Sequence, residues 1–110
     1  MTITNGDVTN SSSSLAEHYL PENLVVAFNT FVHNQSNIEI GFDNNGNYPL
    51  RPVNCQFLHN VVVDSSRAIV KAYSTASLNG VQFTGNIFYP TLNASVGVTL
   101  PTSAITVADP

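Results

Sequence analysis

Three stretches of this chain repeat one pattern: Leu24-Val25-Val26-Ala27-Phe28-Asn29-Thr30-Phe31-Val32, Cys55-Gln56-Phe57-Leu58-His59-Asn60-Val61-Val62-Val63, and Val81-Gln82-Phe83-Thr84-Gly85-Asn86-Ile87-Phe88-Tyr89. Each carries an asparagine near its middle followed by an apolar or β-branched run, and Asn29, Asn60 and Asn86 fall 31 and 26 residues apart. A recurrence of this length marks stacked supersecondary units, each too small to bury its apolar face alone. Shorter alternating segments lie between the repeats, at residues 37–42, 68–73, 96–100 and 104–107. Alternation of β-branched residues with breaks at Gly, Asn and Pro reads as strand, and no window gives a convincing amphipathic helix. The expected fold is all-β: a right-handed single-stranded parallel β-helix, a solenoid of about three coils. Residues 1–22, with the run Ser11-Ser12-Ser13-Ser14, are expected to form an irregular polar lead-in, and residues 23–110 the coils.

The asparagines have a physical use in such a stack. Asn tolerates left-handed backbone geometry, so Asn29, Asn60 and Asn86 are expected at the sharp bend inside each coil. Stacked above one another, their amides would hydrogen-bond as a ladder. His33 and His59 are expected in similar places beside that ladder. The competing fold is an antiparallel sandwich, whose hairpin turns would be Asn45-Gly46 and Asn79-Gly80. The long recurrence favours the solenoid.

Composition narrows the partners. Charged residues make up 9% of the chain, against about 25% in ordinary soluble domains. Hydrophobic residues reach 43%, which is not a disordered composition. Asn, Ser and Thr replace the missing charges and suit tight turns between strands. With three basic residues and a net charge of −4, the chain is a poor partner for nucleic acid, which is held by clustered Lys and Arg. An acidic polysaccharide likewise needs local positive charge, which weighs against the chain being a complete polysaccharide-cleaving enzyme. The single cysteine, Cys55, allows no internal disulfide and reads as a buried apolar residue. No stretch reaches membrane-spanning length, and Met1-Thr2-Ile3-Thr4-Asn5 has neither the basic start nor the apolar run of a signal peptide.

The segment Ile3-Thr4-Asn5-Gly6-Asp7 through Ala16-Glu17-His18-Tyr19, followed by the Asn23–Val32 stretch, resembles the polysaccharide lyase family of alginate lyases and chondroitinase B. Asn37-Ile38-Glu39-Ile40-Gly41 with its Pro-containing loop, and Gly85-Asn86-Ile87-Phe88, continue the likeness from about residue 3 to residue 100. The resemblance implies the later coils of a catalytic β-helix that cleaves a uronic acid polymer by calcium-assisted β-elimination. In that chemistry Ca2+ neutralises the C5 carboxylate, a Lys acts as base and an Arg as acid. The resemblance also implies that the calcium ligands and the Lys/Arg pair lie on coils before this region, so no such role passes to Lys71, Arg51, Arg67 or Glu39. It makes Glu17 and His18 the active-cleft candidates. Family members with a basic Arg-Arg pair after the 37–42 strand differ from this chain, which has Asp43-Asn44-Asn45-Gly46-Asn47-Tyr48 there. That departure favours alginate over dermatan or chondroitin sulfate as the acidic polysaccharide. The implied parent enzyme is secreted or periplasmic and supplies the missing coils.

Lys71 lies in the strand segment Ile69-Val70-Lys71-Ala72-Tyr73. Alternation puts Lys71 on one face with Ile69 and Tyr73, opposite Val70 and Ala72. On an outer face, Lys71 and Tyr73 would contact sugar, the tyrosine ring stacking on a pyranose, and Arg51 is a further candidate for substrate binding. Two other functions compete: a non-catalytic carbohydrate-binding β-helix of the tailspike or adhesin kind, and a pectinase-type glycoside hydrolase. The hydrolase needs convergent carboxylates, and no local Asp-Asp pair supplies them.

Overall fold

The computed structural model describes residues 1–7, 18–34, 37–64 and 66–110. Among these, the strands are β1 (Thr2–Thr4), β2 (Val25–Ala27), β3 (Thr30–Val32), β4 (Ile38–Phe42), β5 (Cys55–Leu58), β6 (Val61–Asp64), β7 (Val70–Ala72), β8 (Val81–Thr84), β9 (Asn86–Pro90) and β10 (Ile105–Val107). One short helix, α1 (Thr75–Leu78), follows β7. The fold is all-β with parallel sheets. A first sheet has the order β1-β4-β7, a second β2-β5-β8 and a third β10-β9-β6-β3. The chain visits them in rotation, second to third to first: β2, β3, β4, then β5, β6, β7, then β8 and β9.

All pairings between these strands are parallel, which removes the antiparallel sandwich. Neither expected hairpin turn joins paired strands: Asn45-Gly46 lies in the turn after β4, and Asn79-Gly80 follows α1.

Register stacks like residues on like. In the second sheet Val26, Phe57 and Phe83 stand in one column, and all three are buried. The Phe57 and Phe83 rings stack 5.1 Å apart, and Phe88 meets Phe83 edge-on at 6.3 Å. In the third sheet Phe31, Val62 and Phe88 form the matching column. Ile38, Ile40, Ile69 and Val70 complete the core from the side of the first sheet. Alternation along each strand therefore turns apolar columns inward from every sheet, and these columns form one core cluster.

The asparagine row lies between the second and third sheets. Asn29 Nδ2 donates to Asn60 Oδ1 at 3.1 Å, and Asn60 Nδ2 to Asn86 Oδ1 at 3.0 Å. The same oxygens accept from the backbone N–H of Asn29 and Asn60, both at 3.0 Å. The left-handed residue at this bend is the one before each asparagine: Phe28, His59 and Gly85, with φ of 57°, 52° and 63°. The asparagine is thus not the bent residue. Its side chain satisfies the peptide groups that the bend takes out of the sheet ladders.

Several expectations change. Thr2–Thr4 is a paired strand with Ile3 buried, within the stretch expected to be irregular. Residues 96–100 do not form a strand; only Ser95 bridges to Ala68, because Gly97 bends the chain at φ 92°. His33 has positive φ but follows β3, so it occupies a different corner from His59, which follows β5.

Candidate functional site

The outward face of β4 and β7 brings Glu39, Phe42, Lys71 and Tyr73 together. Glu39 and Lys71 are register partners. Lys71 Nζ donates to Tyr73 Oη at 3.1 Å and lies 4.3 Å from the centre of the Tyr73 ring. Phe42 meets that ring edge-on, with centroids 5.4 Å apart. Alternation explains this face from Val70 onward: Val70 is buried while Lys71 and Tyr73 are exposed. It fails at Ile69, which is fully buried rather than on the Lys71 face, since β7 begins only at Val70 and the chain bends before it.

A half-open groove of about 380 Å³ runs beside this face, lined by Asn37, Glu39, Arg67, Lys71 and Gly97 among others. Two of the chain's three cationic side chains, Arg67 and Lys71, therefore converge on one groove of a net acidic protein. The hydrogen bond to Tyr73 holds the Lys71 ammonium above its ordinary value, with the charges of Tyr73 and Glu39 adding to it. An aromatic plane beside a persistent cation suits a sugar ring bearing a carboxylate.

Arg67 owes its place to a buried carboxylate. Asp64 accepts hydrogen bonds from the backbone N–H of Ser66 and Arg67 at 2.8 and 3.1 Å. It also accepts from Asn37 Nδ2 at 2.7 Å. These bonds fold the chain after β6 into a turn that presents Arg67 to the groove. Sequence reasoning missed both Arg67 and the Asp64–Asn37 pair. A run of Asp-Ser-Ser is a turn signal, but its partner stands 27 residues away.

The other candidates are dispersed. Glu17 lies outside the described residues. His18 is exposed; its backbone N–H donates to Asp7 Oδ1 at 2.9 Å, and its ring lies 4.2 Å from that of Tyr48. Arg51 is exposed and does not line the groove. A second asparagine pair, Asn54 Nδ2 to Asn23 Oδ1 at 2.7 Å, went unread, although its spacing of 31 residues equals that of Asn29 and Asn60.

Calcium takes 6–8 oxygen ligands, carboxylates foremost. No three His, Cys, Asp or Glu side chains among the described residues stand together around a common point. The Asp64 oxygens already accept from Asn37 Nδ2, from the backbone N–H of Ser66 and Arg67 and from the Ser66 hydroxyl. These residues do not fit the ion, and no step is derived through it. Among the described residues no helix is long and apolar enough to cross a membrane.

Comparison with family models, curated proteins and solved structures finds no match to this chain. The likeness to the lyases rests on the residues quoted for it above.

Proposed function

We propose that the three-sheet rotation is a right-handed parallel β-helix of about three coils and that its β4–β7 face binds an acidic polysaccharide, alginate first. Parallel crossovers are right-handed in about 98% of cases, which supports the handedness. One observation carries the binding reading: Lys71 and Arg67 line the same groove, with Tyr73 stacked under the Lys71 ammonium. A uronate offers a carboxylate to the cations and an apolar ring face to Tyr73. Glu39 beside Lys71 supplies an acceptor for sugar hydroxyls.

The lyase resemblance extends this reading. These residues would hold the polymer, while the base, the acid and the calcium ligands belong to coils outside them, in a secreted or periplasmic parent enzyme. Calorimetry with defined oligo-uronates tests the binding. Lys71→Ala and Tyr73→Ala are each expected to weaken it about tenfold, equivalent to about 1.4 kcal/mol, while Arg51→Ala leaves it unchanged. Binding that is absent, or as sensitive to Arg51 as to Lys71, removes the reading. The chemistry is followed separately by the ultraviolet absorbance of unsaturated uronate, with alginate and calcium added. No product is expected from this chain, and product formation would overturn the placement of the catalytic groups elsewhere.

A further inference from the structure

Three Asn-Gly pairs occur in the chain: Asn5-Gly6, Asn45-Gly46 and Asn79-Gly80. Such a pair is able to modify itself. The backbone nitrogen of the glycine gives its proton to solvent and attacks Cγ of the asparagine side chain, closing a succinimide ring. The Cγ–Nδ2 bond breaks, and the amide nitrogen takes up a proton and leaves as ammonia. Water then opens the ring at either carbonyl, giving aspartate or isoaspartate. Glycine favours the attack because it has no Cβ to hinder the approach of its nitrogen. By sequence the three pairs are equivalent, so the fold decides which of them reacts.

Two of the pairs are held. Asn5 is buried, and Gly6 N–H donates to the Leu50 carbonyl at 2.7 Å. Gly6 accepts back from Leu50 N–H at 2.8 Å, and a Cβ on it would fall 2.6 Å from the Leu20 nitrogen. Its nitrogen is thus occupied and its peptide fixed on both sides. Asn79 closes α1 in helical geometry, with φ −61° and ψ −25°. Gly80 packs against the Pro52 carbonyl with no room for a Cβ, and its own carbonyl accepts from Cys55 N–H at 2.9 Å. Turning that peptide toward the Asn79 side chain would break the bond at the start of the β5–β8 pairing.

The third pair is free. Asn44, Asn45 and Gly46 all have left-handed backbone, with φ of 49°, 57° and 85°, in the turn after β4. Asn45 and Gly46 are exposed. The bonds that close this turn pass around the pair. Asn47 N–H and Nδ2 donate to the Asn44 carbonyl at 3.2 and 2.8 Å, and Tyr48 N–H donates to the Asp43 carbonyl at 2.9 Å. Among the described residues nothing accepts from Gly46 N–H and nothing binds the Asn45 amide. Beyond its chain neighbours, no atom lies within 4 Å of a Cβ placed on Gly46. The nitrogen and the side chain therefore meet without breaking a hydrogen bond.

We propose that Asn45 is a site of spontaneous deamidation in the folded chain, and that Asn5 and Asn79 are spared. Conversion adds one negative charge to the net −4 and sets a new carboxylate in the turn that begins at Asp43. Isoaspartate also adds a methylene to the main chain between Asp43 and Tyr48, inside the loop that their hydrogen bond closes. Tyr48 is the residue whose ring meets His18, so the longer loop loosens that contact. The inference uses the three turns alone and stands whether or not the β4–β7 face binds sugar.

Peptide mapping by mass spectrometry tests it on the 110-residue chain, aged in warm, mildly alkaline buffer. Each pair is followed by the mass gained when an amide becomes an acid. In the folded chain Asn45 is expected to convert at least about tenfold faster than Asn5 or Asn79, a barrier difference of about 1.4 kcal/mol. In concentrated urea the three rates are expected to converge, because a protected site reacts only from the opened chain. Gly46→Ala places a Cβ beside the attacking nitrogen and is expected to slow Asn45 by about tenfold. Conversion of Asn5 or Asn79 as fast as Asn45 in the folded chain overturns the proposal. So does an Asn45 that converts in urea and not in the folded chain, which would mean that the turn protects it. Undiminished conversion in Gly46→Ala overturns it equally, since the nitrogen of Gly46 would then not be the attacking group.

Discussion

Asn60 occupies the middle of the asparagine row and is 1% exposed. Its amide donates to Asn86 Oδ1 and to the Val26 carbonyl, and its own oxygen accepts from Asn29 twice. Asn60→Ala leaves buried partners unpaired and is expected to cost about 1–3 kcal/mol of stability. Asn29→Ala, at the exposed end of the same row, should cost less than half as much. Urea titration of both variants decides this, and equal losses would mean that the row does not act as a ladder. Lys71 makes a second residue-level prediction. Its charge is held above the ordinary lysine value of 10.5, first by the hydrogen bond to Tyr73. A raised folded value means that any stability from this contact is complete below the unfolded value and is lost as pH rises through the folded one. An NMR titration of the Lys71 side chain should therefore show a midpoint above 10.5, moving down in Tyr73→Phe. The same midpoint in both proteins would rule out the hydrogen bond as the cause. The Lys71–Tyr73 pairing is legible from alternation alone, because both residues sit two apart on one strand face. The Asp64–Asn37 pair is not, because only the folded chain brings those rows together.

At the scale of elements, most strands between Val25 and Val107 are readable, whereas β1 is not and the strand expected at residues 96–100 does not form. Inward columns such as Val26–Phe57–Phe83 follow from the repeat, since equal positions in successive repeats must stack. Ile69 and residues 96–100 misled because periodicity says nothing about where the backbone turns, and the turns at Ile69 and Gly97 break the alternation. The helix α1 is too short to show a period at all. It is held by Ser74, whose hydroxyl caps Ser77 N–H at 3.1 Å, and it packs against β4 at Gly41. A Cβ on Gly41 would fall 2.3 Å from the buried Ser77 side chain, at a φ of 83°. Gly41→Ala is therefore expected to destabilise by about 1–3 kcal/mol through overpacking and to displace α1. Gly46 has a similar φ of 85° but open space around it, so Gly46→Ala should cost only the backbone strain, about 1 kcal/mol. Thermal unfolding of the two variants separates packing from conformation. A Gly46 variant as damaged as the Gly41 variant would assign the whole effect to φ and leave the helix without a role in fixing β4.

Each described strand pairs only with the strands beside it in its own sheet, so stability should be distributed along the direction in which the strands stack. Most strand residues with no exposed surface lie on the strands that have neighbours on both sides: Ile40 in β4, Cys55 and Phe57 in β5, Val62 in β6, and Asn86 and Phe88 in β9. Among the described residues, β2 and β3 pair with a strand on one side only, and so does β10. Opening an end exposes one interface, whereas opening the middle requires breaking two. Amide exchange in dilute solution should therefore be slowest for the bonds joining the inner rows: Cys55 N–H to Gly80, His59 N–H to Thr84, and Ile87 N–H to Asn60. It should be faster for Phe28 N–H to Leu58 and Ala108 N–H to Phe88, which tie the outer strands down. Uniform exchange across both sets would mean that the chain opens only globally, contrary to a row-by-row stack.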